Sequence, residues 1–203
     1  MTRGRFVVFE GGEGSGKSTQ STRLAARLDA VLTREPGGTH IGAALRSLLL
    51  DPSTVGLVDR AEALLMAADR AQHVAEVIEP ALSAGRHVVC DRFVGSSIAY
   101  QGGGRGLDAA DVASLSTFAT DGLAPDLVVL LVVPAEVSAR RVGRDRDRFE
   151  AAGDDFHARV AADFQRQAAA DPARWVVVDG DRPPAEVEAE VASVVATRLG
   201  VGG

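Results

Sequence analysis

Eight residues constrain this chain more than any others. Gly11-Gly12-Glu13-Gly14-Ser15-Gly16-Lys17-Ser18 spells G-x-x-x-x-G-K-[ST], between a buried apolar run, Phe6 to Phe9, and a helical pattern that begins at Lys17. A strand that runs into a glycine turn and opens a helix is the setting in which this motif cradles phosphate. The glycines let consecutive backbone N–H groups turn inward, the helix N-terminus adds its partial positive charge, and Lys17 can reach the outer phosphates. The Ser18 hydroxyl suits Mg²⁺. We therefore expect nucleotide binding along Gly11, Gly12, Glu13, Gly14, Ser15, Gly16, Lys17, Ser18 and Thr19.

Composition supports the weight placed on Lys17. It is the only lysine among 22 basic residues, the other 21 being arginine, so its position calls for a compact ammonium on a flexible stem and not a planar fork. The chain contains no asparagine, and its one lysine is already committed, so the N-K-x-D element that reads guanine in GTPases cannot be present. A motor-type ATPase needs more chain, which leaves a small phosphotransferase. A net charge of -6 argues against a general nucleic-acid binder, so anionic ligands must meet local basic sites. Cys90 is the only cysteine and the four histidines are scattered, which points to a reduced, cytosolic setting without a Cys/His metal site. The longest apolar run, 127–133, has seven residues, where a membrane helix needs about twenty. Residues 6–9 are too short for a signal h-region.

Short β-branched runs alternate with helical patterns, which predicts an α/β fold: a five-stranded parallel sheet with helices on both faces, in one domain over 1–203. Strands are expected at 5–10, 30–33, 87–90, 127–133 and 175–178. Helices are expected at 17–28, 41–49, 60–82, 108–120, from Pro134 onward, at 149–170 and at 184–199. The 60–82 helix shows an apolar stripe of Leu64, Leu65, Ala68, Ala75, Ile78 and Leu82, with Asp59 and Glu62 spaced as a capping box. A helical patch at 96–100 precedes a glycine-rich loop at 102–106. Five arginines occupy nine positions from Arg140 to Arg148, either as a solvated face or as a lid over phosphates at about 140–150.

A phosphotransferase needs a second anion site facing the first. Arg34-Glu35-Pro36-Gly37-Gly38-Thr39, Asp91-Arg92-Phe93, the stretch from Ser97 through Tyr100 and Gln101 to Gly106, and Asp147-Arg148-Phe149-Glu150 follow one another at characteristic spacing. In these segments the chain resembles the bacterial thymidylate kinases over nearly its full length. The resemblance implies transfer of the ATP γ-phosphoryl group to dTMP, with Mg²⁺, by a P-loop kinase that forms a homodimer. It implies that Arg92 and Arg70 hold the dTMP phosphate, that Asp91 helps to place Mg²⁺, and that Arg46 reaches the thymine side. It further implies that Glu35 and Pro36 line the acceptor pocket, that Ser97 and Gln101 bond the pyrimidine edge, that Tyr100 crowds the sugar, and that Glu13 lies near a sugar hydroxyl. A loop with Gly14 after the acidic residue implies that the charge-stabilising arginine comes from the lid, from among Arg144, Arg146 and Arg148. Plain ion pairs, helix caps and solvated faces remain the alternatives for these arginines and for Asp91. Met66 stands where relatives carry an aromatic ring on thymine; a thioether can also cover a base. A kinase for another nucleoside monophosphate, or a P-loop regulatory module without turnover, would share the loop, and ADP release across monophosphates separates them.

Overall fold

All five residues of β1 (Phe6–Glu10) are buried. Successive side chains of a strand point to opposite faces, so Val7 and Phe9 need cover on one side and Phe6 and Val8 on the other. The structure, a computed structural model, describes residues 2–143 and 147–202. It supplies both layers. The remaining strands are β2 (Val31–Arg34), β3 (Val88–Asp91), β4 (Leu127–Val132) and β5 (Trp175–Asp179), in the order β2-β3-β1-β4-β5. Every pairing is parallel. The sheet and its two helical layers agree with the expected fold class.

On one face, α1 (Lys17–Leu28) and α9 (Pro184–Leu199) close over Val7, Phe9, Val89, Val129 and Leu131 with Leu24, Val187, Val191 and Val195. On the other, Phe6, Val8, Val88, Cys90 and Phe93 pack with Val74, Ile78 and Leu82. Those three come from the long segment that runs through α3 (Asp59–His73), a π-helical turn (Val74–Ile78) and α4 (Glu79–Ser83). The parallel register sets the carboxyl ends of β1, β2 and β3 side by side, with Phe9 opposite Asp91 and Asp91 opposite Arg34. Ligands of open α/β sheets bind at such an edge. Among the described residues, no helix is long and apolar enough to cross a membrane.

Several local expectations need correction. The inward face of α3 carries Glu62, Ala63, Ala67, Asp69, Arg70 and His73, while Leu64 is 58% exposed. Polar contacts at the sheet edge therefore fix how α3 is rolled: of the expected stripe, Leu64, Ala68 and Ala75 face outward while Ile78 and Leu82 lie in the core. Asp59 and Glu62 do not cap α3: Val58 is its N-cap, without a side-chain bond, and Glu62 turns inward. A reciprocal pair of that kind occurs at Asp147 and Glu150: Asp147 accepts from the backbone N–H groups of Phe149 and Glu150, and Glu150 accepts from that of Asp147. The turn it closes delays α8 (Asp154–Ala170) to Asp154.

The expected glycine loop is largely helical. After α2 (His40–Leu50) and α5 (Val94–Ser97), the chain continues as a π-helical stretch through Ile98–Gly104. A Cβ on Gly104 would lie 2.4 Å from the Phe156 ring, so α8 packs directly on backbone there. Asp108 caps α6 (Ala109–Thr120) by accepting from Ala110 N, as its position suggested. Pro134 stands one position before α7 (Ala135–Arg141).

Candidate active site

The turn between β1 and α1 forms the floor of the site. Gly11 has φ 141°, and a Cβ there would sit 2.3 Å from the Leu131 carbonyl oxygen, so glycine is required where the chain leaves the sheet. Gly16 caps α1 at φ 94°. Lys17 is buried, and its Nζ donates to the Gly12 carbonyl at 2.6 Å and to Ser15 Oγ at 3.3 Å. Burial pulls its ammonium down to about 8; the Arg92 charge adds to this, and Glu13, Asp91 and Glu10 oppose it. Ser18 Oγ donates to Asp91 Oδ2 at 2.6 Å. A hydroxyl beside a carboxylate suits a hard cation that shares its shell with phosphate oxygens and water.

Two of the clefts along this edge adjoin each other. One, of about 820 Å³, is lined by Gly14, Gly16, Lys17, Ser18, Thr19 and Asp91. The other, of about 600 Å³, is lined by Pro36, Met66, Arg70, Ser97, Tyr100 and Gln101. Glu13, Glu35, Arg46 and Arg92 line both and so mark where they meet.

Arg92 holds that junction. Its backbone is left-handed, φ 72°, which turns the side chain back over the glycine turn. Nη1 donates to the Gly11 carbonyl at 3.0 Å and to Ser96 Oγ at 3.1 Å, Nη2 donates to Glu13 Oε1, and the guanidinium lies 5.1 Å from the Tyr100 ring centroid. Tyr100 donates its hydroxyl to the same Glu13 oxygen at 2.8 Å. Burial alone would raise the Glu13 carboxyl, but the charges of Arg92 and Lys17 and the bonds from Tyr100 and Arg92 outweigh it and hold Glu13 at about 2.

Arg70 and Arg46 both border the second cleft, and Arg46 borders the first as well. Arg70 is 2% exposed and uses four of its five guanidinium N–H groups: Nε donates to Glu35, Nη1 to Ser116 Oγ, and Nη2 to the Phe93 carbonyl and Ser97 Oγ. Glu35 also bonds His73 Nδ1 at 2.9 Å. Arg46, anchored by Nη1 on the Pro36 carbonyl at 2.8 Å, borders both clefts. Within the arginine cluster, Arg144 and Arg146 lie outside the described residues. Arg148 does not border either cleft. It bonds the Leu49 carbonyl and pairs with Glu62 at 2.7 Å. Arg141 reaches the glycine turn instead, donating to the carbonyls of Gly14 and Gly180.

Glu10 and Ser96 were not singled out from sequence, and Glu62 was read only as half of a capping box, although a glutamate ending an apolar strand and polar residues at helical spacing on one buried face (Glu62, Asp69, His73) were legible signals. Glu10 Oε1 accepts from the backbone N–H groups of Phe93 and Ser96, and Oε2 accepts from Ser96 Oγ at 2.6 Å. Glu10 thereby fixes the hydroxyl that steadies Arg92. Burial pushes the Glu10 carboxyl up to about 7 against the hydrogen bonds of Ser96 and Phe93 and the Arg92 charge. A carboxyl raised in the fold stabilises it fully below its unfolded value, about 4.5, and loses that contribution as pH rises through about 7. Glu10→Gln is expected to remove a decline in stability between these pH values, read by denaturant melts across the range; a decline of unchanged size in the variant would contradict the assignment.

The family model described as Thymidylate kinase matches residues 9–191. The chain belongs to the thymidylate kinase family. It is 50% identical to the thymidylate kinase of Solidesulfovibrio magneticus, over 96% of this chain and 100% of that one. It is 49% identical to the one from Bifidobacterium longum, over 94% and 96%. Among solved structures, the thymidylate kinase of Ehrlichia chaffeensis superposes with a TM-score of 0.79 at 34% identity, covering 95% of this chain and 99% of that one. Family membership makes the chain a P-loop phosphotransferase with ATP as its donor.

Proposed function

We propose that the protein transfers the γ-phosphoryl group of ATP to dTMP, giving dTDP and ADP, as one kinase domain with a lid at about 140–150. The observation that carries this reading is the shared rim of the two clefts, where Arg46 and Arg92 stand between a phosphate turn and the cleft lined by Met66, Ser97, Tyr100 and Gln101. The turn amides and Lys17 hold the β- and γ-phosphates. Arg46 and Arg92 bring an acceptor phosphate oxygen into line with the γ-phosphorus. The new P–O bond forms there as the bond to the β,γ-bridging oxygen breaks and ADP leaves. Ser18 and Asp91 would hold Mg²⁺, which neutralises phosphate charge when bound.

In the acceptor cleft, Met66 covers a base face, while Ser97, Gln101 and the remaining N–H of Arg70 meet its edge. Tyr100 and Glu13 flank the sugar. A homodimer through α3 and α6 is supported by Leu64 and Phe118, which are 58% and 87% exposed on those helices. A cytoplasmic setting agrees with the free, buried Cys90. ADP release measured across dTMP, UMP, CMP and AMP tests the reading: dTMP should be used best, and UMP turnover equal to that with dTMP would overturn it.

A further inference from the structure

We infer that Glu62 sets the base preference of the acceptor cleft by fixing which end of the Gln101 amide faces the ligand. This rests on the reading of that cleft as the dTMP site. Gln101 is 1% exposed and lines the cleft, and its Nε2 donates to Glu62 Oε1 at 2.9 Å. Glu62 is fully buried in the first turn of α3. Two guanidinium groups converge on it: Arg105 from Nε at 3.3 Å and Nη2 at 3.1 Å, and Arg148 from Nη1 at 2.7 Å. Both arginines stack on the Phe149 ring, at 5.6 and 4.7 Å from its centroid, which keeps them and the carboxylate in place.

The orientation follows from donor and acceptor chemistry. An ion-paired carboxylate accepts hydrogen bonds and donates none, so it takes the NH₂ end of the amide. The other end, Oε1, receives no hydrogen bond from the described residues and is what Gln101 offers to the cleft. An unrestrained glutamine could rotate and match either a donor or an acceptor. Here rotation would set Oε1 against a carboxylate oxygen, so the reader is locked as an acceptor. A pyrimidine imide, with a ring N3–H, matches it. Cytosine, with a lone pair at N3, leaves two acceptors face to face, and buried sites reject such a mismatch far more strongly than they reject a change in size. Glu62 is thus a positioning residue that acts through Gln101 and needs no contact with the substrate.

The test uses the full chain and compares kcat and KM for dTMP and dCMP in the wild type and in Glu62→Gln. The glutamine at 62 can itself donate, so the Gln101 amide becomes free to rotate. Wild type is expected to prefer dTMP over dCMP by about a hundredfold or more. The variant should lose at least about tenfold of that preference, with the change in acceptor KM and little in kcat. A variant that unfolds in a thermal melt leaves a second measurement on the wild type: dTMP methylated at N3 should be at least about tenfold poorer in kcat/KM than dTMP. Equal use of the N3-methyl compound, or an unchanged dTMP-to-dCMP ratio in folded Glu62→Gln, overturns the role of Glu62. Wild type inactive on dTMP would instead overturn the reading of the cleft.

Discussion

Lys17→Arg is expected to lose about 10³-fold in kcat, roughly 4 kcal/mol of transition-state stabilisation, although it keeps the positive charge. The Lys17 ammonium is packed inside the glycine turn, 2.6 Å from the Gly12 carbonyl and 3.3 Å from Ser15 Oγ, with 6% of the residue exposed. A planar guanidinium cannot occupy that space without spreading the turn, and it cannot present one compact charge between two phosphates. The chain itself supports this, since arginine stands at every other basic position. Steady-state ADP release, paired with a thermal melt to confirm folding, measures the effect. Turnover within a few fold of wild type would mean that the position asks only for charge.

Arg92→Lys is expected to lower kcat/KM for dTMP by about 10²- to 10³-fold. A single ammonium nitrogen cannot stand at both the Nη1 position, which bonds the Gly11 carbonyl and Ser96 Oγ, and the Nη2 position, which bonds Glu13, nor can it stack its plane on Tyr100. The loss should appear both as a raised KM for dTMP and as a lowered kcat, because Arg92 borders both clefts. KM for ATP should move much less. If the damage fell on ATP alone, Arg92 would belong to the donor site only.

The sheet, the glycine turn and its helix were legible because each rests on a local pattern: a buried run, then glycines, then a helical period. The segment 102–106 misled because glycine signals a turn, whereas Gly103 and Gly104 are there for contact. A Cβ on either would lie 2.9 Å or less from Asp163 or Phe156 of α8. Glu62 misled in the same way. Its spacing from Asp59 fits a local cap, but partners distant in sequence, Arg105 and Arg148, claim it for the interior. That Arg46 borders both clefts while Arg70 borders only one was invisible because both are arginines on helices near the right segments. The ion pair of Arg70 with Glu35 joins residues 35 positions apart and has no local sequence signal.

If the two clefts are one channel with a common rim, a single ligand that joins adenosine and thymidine 5′ to 5′ through a polyphosphate bridge must fill both. Calorimetric titration should then give one such molecule per chain, displaced by ATP and by dTMP alike, with affinity well above that of either nucleotide. A saturated complex that still takes up ATP or dTMP would contradict the shared rim at Arg46 and Arg92.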